Sequence, residues 1–119
     1  MPATNVEHRN EIAFVYFNDT KILDSQRIEL AGQELRETLE DKDTKQLVLN
    51  FRGVTFMSSA MITKLVVLDR NCKAKSVPLR LCGLVPSVLD VFKITNLNRL
   101  FKICDSEEQA IVSLDSKGR

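Results

Sequence analysis

Two adjacent serines, Ser58 and Ser59, are the residues whose type and position most suggest chemistry. They lie in the segment VTFMSSAM (54–61), which follows a short apolar run and precedes an apolar helical stripe. Loops that follow the strands of an open α/β sheet form its usual functional edge. A serine at a helix start can cap the helix, or it can offer its hydroxyl to a modifying enzyme. The residues alone leave both interpretations open.

The second interpretation rests on the charge of a helix start. Its free N–H groups and partial positive charge tolerate an added phosphate, which carries roughly −1.5 to −2 charge. Such a phosphate changes how the surface meets a partner without changing the fold. Phe56 and Met57 flank the serines and can form an apolar rim, although we expect at least one of them in the core. On this second interpretation, the segment is a phosphorylation switch on a binding surface.

The remaining reactive side chains argue against catalysis. His8 is the only histidine and lies near the start of the chain, where we expect it to have no role. Cys72, Cys82 and Cys104 are not spaced as C-x-x-C and have apolar neighbours, so we expect reduced thiols, mostly packed in the core. Without a base for a nucleophile, we expect no enzyme and no metal site.

The composition of the chain limits the classes of partner that we expect it to bind. The chain has 119 residues and a net charge of +1, with no tryptophan. We expect one domain in the cytoplasm, with no nucleic-acid partner, no direct membrane insertion and no secretory leader. No glycine-rich phosphate loop is present, so we expect no cofactor. Asp24, Asp69 and Asp90 lie on or beside predicted helices and are expected at the solvated surface.

Hydrophobic periodicity predicts the elements that position the serines. It predicts strands near 6–9, 11–17, 46–51, 78–84 and 101–104, the first two joined by a turn at Asn10. It predicts helices beginning near Ser25, after the two serines, at Pro86 and after Ser106, which has a capping-box partner in Gln109. The second helix is apolar over much of its surface, so we expect it to be deeply packed. Alternating strands and helices predict a mainly parallel sheet with an antiparallel N-terminal strand.

Three segments resemble the STAS family, the sulfate-transporter and anti-sigma-factor-antagonist domains. The first is LVLNFRGVTFMSSAMITKLVVL (47–68), the second runs from 78 to 104, and the third covers 21–40. The resemblance implies one α/β STAS-like domain over 1–119, with a core at about 11–114 and frayed ends. It also implies a four- or five-stranded mixed β-sheet with about four helices packed mainly on one side.

The resemblance also implies a function. Family members without transporter helices typically act as anti-sigma factor antagonists, which bind an anti-sigma factor that is also a GHKL-type serine kinase. The kinase releases them by phosphorylating the D-S-[ST]-G loop, and a metal-dependent, PP2C-type phosphatase resets them. The acceptor falls on Ser59, with Ser58 as fallback and Thr63 as a weaker candidate. Ser58 replaces the family's Asp, and Met61 replaces its Gly.

Partner-binding residues follow from the same alignment. Asp24 matches an acidic position of the partner surface, and Met57, Ser58, Ser59 and Met61 complete the expected contact set. Two alternatives use the same fold. The chain is then either a cytoplasmic accessory subunit of a membrane transporter or a scaffold subunit of a stress-sensing complex.

Overall fold

The computed structural model describes the backbone of residues 1–117 and the side chains of residues 1–114. In this part of the chain the strands are β1 (Thr4–Arg9), β2 (Ile12–Phe17), β3 (Lys21–Ile22), β4 (Gln46–Asn50), β5 (Phe56–Met57), β6 (Leu79–Cys82) and β7 (Lys102–Cys104). The α-helices are α1 (Ser25–Glu40), α2 (Ser59–Ala74), α3 (Pro86–Ile94) and α4 (Glu107–Lys117), and a 3₁₀ turn covers Leu97–Arg99. The frayed tail predicted for 118–119 lies outside the described residues.

The main sheet has five strands in the order β1-β2-β4-β6-β7. β1 and β2 pair antiparallel, and the other neighbours pair parallel. β4 is the central strand, and four of its five residues are buried, as its continuous apolar run predicted. The predicted mixed sheet with an antiparallel N-terminal strand is therefore confirmed.

The start of the chain forms β1, which pairs with β2, although the core was predicted to begin only at about residue 11. Asn10 and Glu11 have φ values of 52° and 71°, which suit the tight turn of the β1–β2 hairpin. The carboxylate of Glu34 on α1 accepts hydrogen bonds from the backbone N–H of Ala3 at 3.1 Å and from the Thr4 hydroxyl at 2.6 Å. These contacts fasten the residues before β1 to the first helix.

The helices cover both faces of the sheet, with three on one side. α1, α2 and α3 enclose the main core against one face, and the predicted α1 stripe from Ile28 to Leu39 is buried there. α4 packs on the opposite face, where Ala110 and Leu114 meet Phe14 and Val48. The resemblance implied that the helices lie mainly on one side, which is confirmed, but it did not indicate which helix packs on the opposite face.

α2 buries one face only, which corrects two predictions. Its buried side includes Met61, Leu65 and Asp69, whereas Val67 remains 40% exposed. The helix is therefore packed along one side and is not deeply packed. Asp69 is 6% exposed and not solvated, because it lies on the same helical face as Leu65 and Leu68. Its carboxylate accepts a hydrogen bond from Lys73 Nζ at 2.9 Å.

Candidate functional site

Ser59 is the first residue of α2, and its side chain is exposed. Ser58 takes the N-cap position with extended φ and ψ of −74° and 163°. Its carbonyl accepts hydrogen bonds from the N–H groups of Met61 and Ile62, which starts the helix. The hydroxyl of Ser58 does not cap the helix. It is buried and has no hydrogen-bond partner among the residues that the structure describes. The accessible hydroxyl of this pair therefore belongs to Ser59.

A second, two-stranded sheet brings the starts of α1 and α2 together. β3 and β5 pair in parallel, with Lys21 opposite Phe56 and Ile22 opposite Met57. The N–H of Ser58 then donates to the carbonyl of Ile22 at 3.0 Å. The sequence placed both segments in loops, because strands of two residues leave no periodic pattern to detect. This small sheet fixes the chain before each helix and places the two helix starts at one edge of the domain.

Asp24 lies at the same edge and is exposed. It is the N-cap of α1, and its carboxylate accepts the N–H of Arg27 at 3.0 Å. The exposed location of Asp24 and Asp90 agrees with the prediction. Asp24 therefore combines a structural role with a location suited to a partner contact.

The two methionines of the predicted contact set lie beneath the surface. Met57 is 6% exposed and Met61 has no exposed surface, because both pack into the main core. In this conformation they support the loop and α2 from inside, and a docking partner would not touch their side chains.

Leu23 and Phe56 instead provide apolar surface at this edge, with 51% and 48% of their area exposed. We call Leu23, Asp24, Phe56 and Ser59 the helix-start surface. Phe56 also lines a groove of about 210 Å³ together with Ile62 and Val91, between β5, α2 and α3. The predicted contact set did not include Leu23. Its exposure follows from its place next to the buried Ile22, since neighbouring residues in extended chain face opposite ways.

The cysteines and the histidine do not belong to the helix-start surface. Burial raises the pKa of the Cys72 thiol to about 12 and that of Cys82 to about 11, and Cys104 is half-buried. His8 lies on β1, with its Nε2 3.3 Å from the hydroxyl of Thr44. Thr44 precedes β4, so His8 is at the opposite end of the strands from Ser59. Among the side chains that the structure describes, in residues 1–114, no three metal-ligating groups lie together, and none of the described helices is able to cross a membrane.

The mixed five-stranded sheet and the paired helix starts define a small α/β domain with a loop-borne surface at one edge. The family model of the STAS domain matches residues 3–110. The chain therefore belongs to the STAS domain family.

Solved structures share this fold at low sequence identity. An anti-sigma-factor antagonist (STAS) domain protein from Planctomyces limnophilus has a TM-score of 0.84 and 16% identity, covering 94% of this chain and 97% of its own. The anti-sigma factor antagonist SpoIIAA in its unphosphorylated form has a TM-score of 0.77 and 20% identity, covering 96% and 97%. The phosphorylated form of Bacillus SpoIIAA has a TM-score of 0.70 and 19% identity, covering 94% and 99%.

The fold also occurs in a larger assembly and within a longer protein. A structure of the stressosome, a signal integration and transduction hub, matches with a TM-score of 0.75 and 15% identity over 97% of this chain and 99% of that one. A murine solute carrier 26 anion transporter matches with a TM-score of 0.76 and 16% identity, over 92% of this chain but 18% of the transporter. At these identities the likeness shows the fold alone.

Proposed function

We propose that this protein is an anti-sigma factor antagonist that is switched by phosphorylation of Ser59. The observation that carries the proposal is the exposed position of Ser59 at the first residue of α2, in the same helix-start surface as the exposed Phe56. In this proposal the protein works in the cytoplasm and regulates transcription by binding, without catalysis of its own. Its partner is an anti-sigma factor that is also a GHKL-type serine kinase, and a PP2C-type phosphatase restores binding.

The physical basis of the switch is a charge placed beside apolar surface. The unphosphorylated helix-start surface combines the apolar Leu23 and Phe56 with one carboxylate, Asp24. A phosphate on Ser59 lies at the positive end of α2, so the helix tolerates it. A partner that docks on this surface must remove water from the charged phosphate, and this cost weakens binding. Phosphorylation therefore releases the partner and leaves the fold in place.

Ser59 is the better acceptor of the two serines. A kinase needs a reachable hydroxyl, and the Ser58 hydroxyl is buried beneath the chain. Thr63, one turn later, is exposed, but its hydroxyl donates to the carbonyl of Ser59 at 3.1 Å. The proposal therefore assigns the phosphate to Ser59.

The test combines binding with phosphate mapping. Ser59→Asp should weaken binding to the kinase at least tenfold, about 1.4 kcal/mol, whereas Ser59→Ala should bind normally and resist release by ATP. Isothermal titration calorimetry measures both. Ser76→Asp is the matched control, since it adds the same charge at the far end of α2 and should bind like the wild type. Unchanged affinity for Ser59→Asp contradicts the switch.

Mass spectrometry after incubation with kinase and ATP locates the phosphate. The tryptic peptide 53–64 contains Ser58, Ser59 and Thr63, and fragment ions separate the three positions. A phosphate on Ser58 or Thr63 alone contradicts the assignment.

Co-purification with a membrane ATPase supports the transporter-subunit alternative, and a stable multimer in light scattering supports the scaffold alternative.

A further inference from the structure

Cys82 and Cys104 are direct neighbours in the main sheet. β6 and β7 pair in parallel, and the register sets Cys82 opposite Cys104. Residues paired in this way project to the same face, here the face covered by α4, where Cys104 packs against the cluster that contains Cys82. Neighbouring strands lie about 4.8 Å apart, and disulfides join Cα atoms about 4.4–6.8 Å apart. The backbone therefore already brings the two cysteines within disulfide range.

The two thiols differ in access. Cys104 is half-buried at the end of β7, which is an edge strand of the sheet, whereas Cys82 has no exposed surface on the neighbouring strand. An oxidant from solvent reaches Cys104 first. Cys82 is then the thiol positioned to react with it, since no strand lies between them.

The surroundings of Cys104 are polar on the α4 side. Its sulfur lies 3.9 Å from the hydroxyl oxygen of Ser113, and that oxygen accepts a hydrogen bond from Nε of Arg80 at 2.7 Å. A cation such as the Arg80 guanidinium near a thiol is typical of cysteines that react with oxidants. Cys72, by contrast, is fully buried in the main core on the other face of the sheet. It therefore serves as an internal control.

We propose that Cys104 and Cys82 form an oxidation-sensitive pair that joins β6 to β7 through a reversible disulfide. With hydrogen peroxide as oxidant, the Cys104 sulfur attacks one peroxide oxygen, the O–O bond breaks, and the products are a sulfenic acid and water. The Cys82 sulfur then attacks the sulfenic sulfur. The S–S bond forms, the S–O bond breaks, and hydroxide leaves with the Cys82 proton as a second water. The two thiols lose two electrons, and the peroxide gains them.

The bond would link the two ends of one segment. Residues 83–103 lie between the cysteines and contain α3 and the 3₁₀ turn. α3 supplies Val91 to the groove beside Phe56. Oxidation therefore restrains the segment that forms one wall of that groove, and this holds whether or not Ser59 is a phosphorylation site.

Peptide mapping of the native protein tests the pair. The protein is treated with hydrogen peroxide, its remaining thiols are alkylated, and it is digested with trypsin without reduction. We expect a disulfide-linked product of peptides 81–93 and 103–117, lighter by two hydrogen atoms than the two peptides together and lost after dithiothreitol. Peptide 71–73, which holds Cys72, should remain reduced and appear unmodified until the protein is unfolded.

Three variants serve as controls. Cys72→Ala should keep the linked product, whereas Cys104→Ala should leave Cys82 as unreactive as Cys72. Cys82→Ala should stop at sulfenic acid on Cys104, which a dimedone probe traps. Circular dichroism confirms that each sample is folded. The proposal is overturned if the link forms only in urea, if Cys104 links to a second molecule instead, or if Cys82 and Cys72 oxidise at equal rates in the wild type.

Discussion

At the residue scale, the structure separates two adjacent serines whose side chains are chemically the same. Ser58 and Ser59 are adjacent and chemically identical, yet the N-cap geometry turns the hydroxyl of Ser58 inward and leaves that of Ser59 at the surface. The buried hydroxyl has no partner among the described residues, which costs stability at a helix start. One step along the chain therefore decides which hydroxyl an enzyme can reach.

Two glycines near the site share a left-handed backbone but differ in surroundings, and this predicts different costs of substitution. Gly53 has φ of 85° with nothing within 4 Å of an added Cβ, whereas at Gly83, with φ of 73°, that Cβ would lie 2.6 Å from Oδ1 of Asn50. We expect Gly53→Ala to lower the free energy of unfolding by about 1 kcal/mol and Gly83→Ala by about 2 to 3 kcal/mol. Urea denaturation measures both, and equal losses would contradict the clash.

At the element scale, α4 is held to the sheet by one carboxylate at its first residue. Glu107 accepts hydrogen bonds from the Tyr16 hydroxyl at 2.6 Å, Arg9 Nη2 at 2.9 Å and Asn50 Nδ2 at 3.1 Å. Burial alone would raise the pKa of Glu107, but these hydrogen bonds outweigh it and hold the pKa below 4.5. For Tyr16, burial and the bond to Glu107 raise the pKa to about 12. This network therefore contributes to the position of α4.

The lowered pKa of Glu107 predicts a loss of stability in acid. A carboxylate with a lowered folded-state pKa stabilises the fold above its unfolded-state value, and this contribution disappears as the pH falls through the folded-state pKa. Glu107→Gln should therefore be less stable than the wild type at neutral pH, and the difference should shrink as the pH falls below the unfolded-state pKa of a glutamate, about 4.3. Urea midpoints across this range provide the measurement. Glu108→Gln, which changes the exposed next residue, is the control. If the difference in stability between the wild type and Glu107→Gln stays constant as the pH falls, the assignment is refuted.

At the scale of the whole molecule, stability rests on the central strand between two layers of helices. Leu49 on β4 has no exposed surface and belongs to the main core, whereas Val48 beside it faces α4. The sheet is therefore covered on both faces, which explains why β4 is apolar at successive positions. The helix-start surface lies at the edge of this framework, where a modification leaves the core unchanged.

Leu49→Ala tests the central position of β4. The change leaves a cavity in the core, so we expect the free energy of unfolding to fall by about 2 to 5 kcal/mol. Leu23→Ala is the matched control, because half of Leu23 is exposed, and it should cost less than about 0.5 kcal/mol. Both are measured by chemical denaturation at neutral pH. A small loss for Leu49→Ala would mean that β4 is not the centre of the core.

The sequence by itself determined the chain order of the long elements and a mainly parallel sheet with an antiparallel N-terminal strand, because the long elements carry apolar patterns typical of helices or of buried strands. The α1 stripe, the β4 run, Pro86 at the start of α3, and Ser106, whose hydroxyl accepts the N–H of Gln109, all follow from local chemistry. It also located the serine pair at a helix start, since Ser58 and Ser59 follow a buried strand.

Only the tertiary structure decided which residues are buried and which distant elements are in contact. Asp69 is buried although it is charged, Val67 is exposed although it is apolar, and Met61 supports the loop from the core, because each depends on which side of α2 faces the sheet. The small β3–β5 sheet, the location of α4 on the opposite face and the Cys82–Cys104 pairing all join residues distant in the chain. Local sequence does not specify such contacts, since they arise when separate elements pack together.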